Sequence, residues 1–218
     1  MKRVLIIAAA AALAAAAWAG TLPDAGAEHV MRFGPLASGV FDFYTQDSEF
    51  GGGGGVGVWG RYDRTWIGYA MRLGATVGDF GGALTYIDWE SEYYIYLQKR
   101  RFRPFIMPVI GFGYTSTDRY GYAESYARVP FGLYVGARWN AADSPCYMTA
   151  GVGGKAIFIS DFDWSGEVTV RVRGYFGLTD TVALYAGMEF GRGRLNDYYG
   201  SGYTVWRSCL EVGPSWAF

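Results

Sequence analysis

The fold class of this chain follows from its C-terminal stretch, Val205-Trp206-Arg207-Ser208-Cys209-Leu210-Glu211-Val212-Gly213-Pro214-Ser215-Trp216-Ala217-Phe218. Apart from Ser208, every second residue from Trp206 to Phe218 is apolar, whereas the interleaved positions carry Arg207, Glu211 and small residues. A period of two over this length predicts an extended strand whose two faces meet different surroundings. A membrane-spanning barrel strand has lipid on one face and a polar lumen on the other. The alternative is a core-facing edge strand of a soluble β-sandwich.

The composition favours the membrane barrel. The chain has 33 Gly, 18 Tyr, 14 Phe and 8 Trp. Tyr and Trp are typical of membrane interfaces, and Gly allows strands to curve and bulky neighbours to pack. Beyond the N-terminus no apolar stretch reaches the roughly 18 residues that a transmembrane helix requires. The formal net charge of −1 and the absence of a basic tract argue against a nucleic-acid partner.

The N-terminus predicts a secretory signal peptide over residues 1–19. Lys2 and Arg3 precede the apolar run from Val4 to Ala17, and cleavage is expected after Ala19. No Cys lies near this site, so we do not expect a lipoprotein anchor. Residues 20–28 are then an N-terminal arm, and residues 29–218 form the barrel.

Alternating segments continue along the rest of the chain. We predict ten strands, at about 29–45, 52–62, 65–77, 82–98, 103–116, 125–140, 146–158, 165–177, 181–193 and 202–218. Short turns alternate with somewhat longer loops, as in barrels with short periplasmic turns and modest extracellular loops. Gly34 and Pro35 weaken the first segment, so eight strands remain the alternative. The run Gly51 to Gly55 predicts a mobile loop rather than a phosphate-binding loop, because it lacks the Lys-Ser/Thr pair.

These segments predict an all-β fold, a closed antiparallel up-and-down transmembrane β-barrel. In hydrocarbon every backbone N–H and C=O needs an internal partner, and an open sheet would leave two edges unpaired. Closure removes both edges.

The stretch Arg103-Pro104-Phe105-Ile106-Met107-Pro108-Val109-Ile110-Gly111-Phe112-Gly113-Tyr114 resembles a strand of small bacterial outer-membrane barrels, the opacity-protein-like and OmpA-like domains. The terminal Phe218 is similar to theirs as well. The resemblance implies an outer-membrane location, contact with outer-membrane lipid and the insertion machinery, and an insertion signal at Trp216 and Phe218. It also implies a monomer without the periplasmic peptidoglycan-binding domain of some relatives. Such families include anchors, adhesins, small pores and a few enzymes.

The lumen face is expected to carry nearly balanced charges. Its predicted basic members are Arg32, Arg61, Arg72, Arg128, Arg138, Lys155, Arg171, Arg173 and Arg207, and its acidic members are Asp42, Asp88, Glu90, Glu92, Glu167, Glu189 and Glu211. Buried charges must pair or be hydrated. We therefore predict a structural ion-pair core, with a narrow charged conduit as the alternative and a catalytic cluster as the third possibility.

No motif for catalysis or cofactor binding stands out, and we predict a non-enzyme without cofactor or metal. The single histidine, His29, falls at the start of the first predicted strand. The two cysteines, Cys146 and Cys209, are expected at different heights of the barrel, too far apart for a disulfide.

Overall fold

A computed structural model describes residues 30–45, 49–64, 66–79, 83–98, 102–119, 122–140, 146–159, 162–179, 181–196 and 202–217. The predicted signal peptide, the N-terminal arm, His29 and Phe218 lie outside these described residues.

The described chain forms ten antiparallel strands. They are β1 (Val30–Tyr44), β2 (Glu49–Asp63), β3 (Ile67–Asp79), β4 (Ala83–Tyr96), β5 (Phe102–Arg119), β6 (Tyr122–Asn140), β7 (Tyr147–Ile159), β8 (Phe162–Gly177), β9 (Val182–Asn196) and β10 (Gly202–Ala217). Each strand pairs with its neighbours in sequence, and β1 pairs with β10 to close the barrel. The predicted ten-stranded up-and-down barrel is confirmed, and the eight-stranded alternative is wrong. We call the end that holds Val30 and Ala217 the terminal end, and the opposite one the distal end.

Closure between β1 and β10 depends on two glycines beside two prolines. Pro35 lies opposite Pro214 in the register that Phe33–Trp216 and Ala37–Val212 define. Neither proline has an N–H to donate to the ladder. A Cβ on Gly34 would collide with the main chain at Pro214, and a Cβ on Gly213 would collide with the main chain at Pro35. The two strands therefore approach closely, and β1 continues through the predicted interruption.

The strands extend further at the distal end than the alternation indicates. β5 and β6 cover most of the predicted loop Thr117–Glu124, leaving only residues 120–121 between them. The prediction of a mobile loop at Gly51–Gly55 is also wrong, because this run pairs with both β1 and β3. Backbone pairing continues where apolar alternation fades, since beyond the lipid both faces of a strand meet polar surroundings.

The outer surface of the barrel is an apolar belt. Aliphatic side chains at mid-height point outward and are exposed, including Leu133 at 55%, Val152 at 47% and Val170 at 46%. Aromatic residues flank them at both ends. The exposed outward aromatics include Trp66, Phe102, Trp139, Phe176 and Trp216 at the terminal end, and Phe43, Phe50, Phe158 and Trp206 at the distal end. Such a belt between two aromatic girdles is the surface that a transmembrane barrel presents to lipid.

Among the described residues, no helix is long and apolar enough to cross a membrane.

Candidate functional site

The lumen is filled by side chains from every strand, and the predicted charged residues lie in it at three heights. The terminal layer comprises Arg32, Arg61, Asp63, Tyr96, Arg138 and Tyr147. The central network comprises Arg72, Glu90, Glu92, Lys155, Glu167, Arg171, Arg173, Glu189 and Glu211. The distal pairs are Asp42–Arg207 and Asp88–Arg128.

Arg171 is the centre of the central network. Its guanidinium group contacts Glu90 at 2.9 Å, Glu92 at 2.8 Å and Glu189 at 2.8 Å. Glu90 and Glu92 are two residues apart on β4, so both point inward. β8 and β4 are separated by three strands in the barrel order, so these contacts reach across the lumen.

Lys155 lies beside this centre and has three acidic partners. Its Nζ is 2.9 Å from Glu90, 3.2 Å from Glu167 and 3.3 Å from Glu189. Glu167 faces Lys155 directly across the β7–β8 ladder. Three carboxylates compensate the cost of burying this ammonium group, which no single partner would do as well.

Two further pairs connect the network to other walls of the barrel. Arg72 on β3 pairs with Glu211 on β10, and Arg173 pairs with Glu92. Two tyrosine hydroxyls add hydrogen bonds: Tyr185 donates at 2.7 Å to the Glu211 oxygen that Arg72 does not contact, and Tyr94 donates at 2.7 Å to the Glu92 oxygen that Arg173 also contacts. Side chains from opposite walls therefore hold one another in place.

The terminal layer is built around Asp63. Arg61 donates to this carboxylate at 2.8 Å, Tyr96 donates to it at 2.8 Å, and Arg138 lies 2.9 Å from it. The ring of Tyr147 lies under the Arg138 guanidinium group, 3.8 Å from ring centroid to guanidinium carbon.

Apolar and aromatic residues fill the lumen between the terminal layer and the central network. Two buried clusters occupy this space. The first contains Ala70, Tyr94, Tyr96, Phe105, Met107, Val109 and Tyr134, and the second contains Leu36, Trp59, Tyr147, Tyr175 and Tyr185. Rings of Tyr147 and Tyr175 stack at 4.3 Å, and Trp59 packs on Tyr185 at 4.6 Å.

Sequence reasoning missed Asp63 and the inward aromatic residues. The second predicted strand ends at residue 62, whereas β2 includes Asp63 as its last residue, and this side chain faces the lumen. Tyr94 and Tyr96 continue the inward positions of Glu90 and Glu92 along β4. That continuation was the available signal, but the prediction counted only charged residues as lumen residues.

The distal half of the lumen contains a cavity. Its volume is about 90 Å³. Because one ordered water needs roughly 10–15 Å³ of such space, the cavity has room for several. Its walls include Arg72, Tyr86, Asp88, Arg128, Lys155, Glu167, Glu189, Arg207 and Cys209. At the height of this cavity, Arg207 donates two hydrogen bonds to the Asp42 carboxylate, of 2.8 and 2.7 Å.

The sequence also led to predictions about the two cysteines, about metal binding and about an insertion signal. Cys146 and Cys209 are both free thiols. Within the described ranges no group of three or more His, Cys, Asp or Glu residues has an arrangement that could hold a metal ion. Trp216 points outward at the terminal end and is 40% exposed. The roles of Trp216 and Phe218 in insertion stay predictions.

Known structures with a similar fold include outer-membrane barrels, whereas no family model and no curated protein matches the sequence. The translocator domain of the autotransporter NalP from Neisseria meningitidis is 11% identical, with a TM-score of 0.50, and the match covers 96% of this chain and 98% of that one. This chain has the fold of an outer-membrane β-barrel. The resemblance and the outer-membrane location predicted from the sequence are confirmed at the level of the fold.

Two other similar structures have TM-scores just below that value. Neisserial surface protein A is 10% identical with a TM-score of 0.48, over 89% of this chain and 100% of that one. The outer-membrane protease OmpT from Escherichia coli is 8% identical with a TM-score of 0.49, over 91% of this chain and 99% of that one. At these identities the likeness extends to the fold and does not carry over the protease activity or the translocator role of those proteins.

Proposed function

We propose that this protein is an integral outer-membrane barrel whose lumen is closed by its own side chains, and which acts as a structural or surface-interaction protein rather than an enzyme. The observation that carries the proposal is the contact between Arg171 and Glu92 across the lumen, directly above a layer of packed aromatic rings.

The depth of burial supports a closed lumen. In a narrow barrel, inward side chains are long enough to fill the interior. Tyr134 is fully buried, Arg61 is 1% exposed, and Tyr94 and Tyr175 are each 2% exposed. Charged and aromatic groups with so little exposure leave little space for a solute between the terminal end and the central network.

A narrow conduit for ions or small solutes is the second candidate. The cavity in the distal half favours it, because charged and polar walls of this kind hold water. For passage, the contacts of Arg171 with Glu90 and Glu92 would have to open.

Conductance recording separates the two candidates. In planar lipid bilayers the unmodified protein is expected to show no steady current. A variant carrying both Arg171→Ser and Glu92→Ser, which shortens both sides of the cross-lumen contact, is expected to show a small current. Val170→Ala on the outer face is the control and is expected to stay closed. Stable single-channel steps from the unmodified protein would contradict the closed lumen and support the conduit.

Labelling on intact cells tests the orientation. We propose that the distal end of the barrel faces the outside and the terminal end faces the periplasm. Residues 197–201, which follow β9, and residues 141–145, which follow β6, lie outside the described residues. Cys146 and Cys209 are first replaced by Ser, and a single cysteine is then introduced by Tyr199→Cys or Asp143→Cys. A membrane-impermeant maleimide is expected to label the first variant directly and the second only after the outer membrane is permeabilised. The reverse result would show the inverted orientation.

A further inference from the structure

The terminal layer holds more positive than negative charge. Arg32 and Arg61 lie directly opposite each other on β1 and β2, and both are buried, with exposures of 7% and 1%. Arg138 adds a third guanidinium group. Asp63 is the one acid among the described residues of this layer, and Arg61 and Arg138 both contact it. Positive charge therefore exceeds negative charge in this layer, and Arg103, which lies opposite Arg138 and beside Tyr96, adds to the excess at this end.

Arg32 is the guanidinium group of this layer that lacks an acidic partner within the described structure. Within the described part of the chain it forms no hydrogen bond or ion pair, and its Nε is buried without a partner. Its guanidinium carbon lies 5.9 Å from the centroid of the Tyr147 ring, and that of Arg61 lies 5.3 Å from the same centroid. Like charges at directly opposed positions destabilise a pair of strands.

Other buried polar atoms nearby are also without partners. The Tyr147 hydroxyl and the Trp59 Nε1 are buried and have no hydrogen-bond partner within the described structure. Both side chains belong to the cluster on which Arg32 rests. Arg32 Nε and Trp59 Nε1 only donate, and the Tyr147 hydroxyl has a proton to donate. Buried polar groups that lack protein partners in native proteins generally bind ordered water or an ion.

We propose that the terminal layer binds an oxyanion of the phosphate type, held by Arg32 and the Tyr147 hydroxyl and stabilised by Arg61 and Arg138. A dianion brings negative charge to a layer with an excess of positive charge, which a neutral water does not. Phosphate oxygens accept several hydrogen bonds at once, and guanidinium groups bind them with well-matched geometry. Arg32 lies near the start of β1, so the anion would enter from the terminal end. This inference goes beyond the proposed function, because a closed lumen does not require a bound anion.

The test uses the purified full-length protein in a maltoside detergent, which contains no phosphate. Inorganic phosphate is titrated against it by calorimetry, and the urea midpoint of unfolding is measured with phosphate or with chloride at matched ionic strength. Phosphate is expected to raise the midpoint of the unmodified protein more than chloride does. Arg32→Gln is expected to weaken phosphate binding about tenfold or more, because it removes a charged donor. Without phosphate, the same variant is expected to unfold at a midpoint equal to or above that of the unmodified protein, since the repulsion from Arg61 is relieved.

Two further variants make the result specific. Arg207→Gln removes a guanidinium group from the distal end and is expected to keep the full phosphate response. Tyr147→Phe removes only the hydroxyl group and is expected to weaken binding while keeping the fold, so it provides a second reading should Arg32→Gln fail to fold. If the phosphate response is absent, or is the same in Arg32→Gln and Tyr147→Phe as in the unmodified protein, a site for free phosphate is excluded.

The source of the phosphate group is resolved by adding lipid. Phosphatidylglycerol or phosphatidylcholine is added to the detergent micelles in place of inorganic phosphate. An Arg32-dependent rise of the midpoint with phosphatidylglycerol alone would identify a lipid headgroup as the ligand. Failure of both inorganic phosphate and phosphatidylglycerol overturns the inference and leaves the closed-lumen proposal intact, because conductance tests that proposal separately.

Discussion

Replacing Arg171 by alanine should destabilise the folded barrel by about 3–5 kcal/mol, the cost typical of leaving a buried charge without its partner. Arg171 contacts Glu90, Glu92 and Glu189. Lys155 and Arg173 still contact these acids, but without Arg171 the central network holds five acids and only three bases. The substitution therefore leaves excess negative charge in a part of the lumen where Glu90 and Glu92 are only 4% and 3% exposed.

The measurement is reversible urea unfolding in lipid vesicles, followed by tryptophan fluorescence. Arg128→Ala is the matched control, because Arg128 also lies in the lumen and pairs with Asp88, but both side chains are more exposed, at 17% and 25%. A partly solvated pair contributes about 0–1 kcal/mol, so the control should change stability little. Equal effects of the two substitutions would show that the central network does not stabilise the barrel.

The fold could be predicted because lipid leaves a strong pattern in the sequence. A strand such as β8 alternates Val168, Val170 and Val172 with Glu167, Thr169 and Arg171, and few soluble strands require so strict a pattern. The ends of the strands were harder to predict. Pairing extends β5 to Arg119 by backbone hydrogen bonds, which polar sequences form as readily as apolar ones.

The composition of the lumen could be predicted, but not its contacts. Alternation places Arg171 and Glu92 on the inner face of their strands, yet their meeting depends on the tilt and stagger of ten strands, which the sequence does not express locally. The apolar filling was missed for another reason. Phe105 and Met107 point inward between outward Pro104, Ile106 and Pro108, so apolar residues occupy both faces of this part of β5 and the alternation gives no signal.

Adding a charge to the outer face should destabilise the barrel about as much as removing a charge from the lumen. Val170 is the ninth residue of β8, and it lies between Val152 and Phe190 on the neighbouring strands, in the middle of the apolar belt. Its side chain is 46% exposed, although no polar group of the protein faces it from these two partners. In the membrane this exposed fraction contacts lipid. A substitution at Val170 therefore tests whether the outer surface is embedded in a bilayer.

Val170→Arg should therefore destabilise the barrel by about 2–4 kcal/mol in lipid, the depth-dependent cost of an arginine near the bilayer midplane. Leu178→Arg is the matched control, because Leu178 is 70% exposed in the turn after β8, at the edge of the belt. There the same charge should cost only about 0–1 kcal/mol, since it reaches the headgroups. Unfolding in phosphatidylcholine vesicles measures both variants, and heat-modifiable gel mobility shows whether each one folds. If the two arginines cost the same, the apolar outer surface is not embedded in a bilayer, and the barrel would have to bury that surface against another protein.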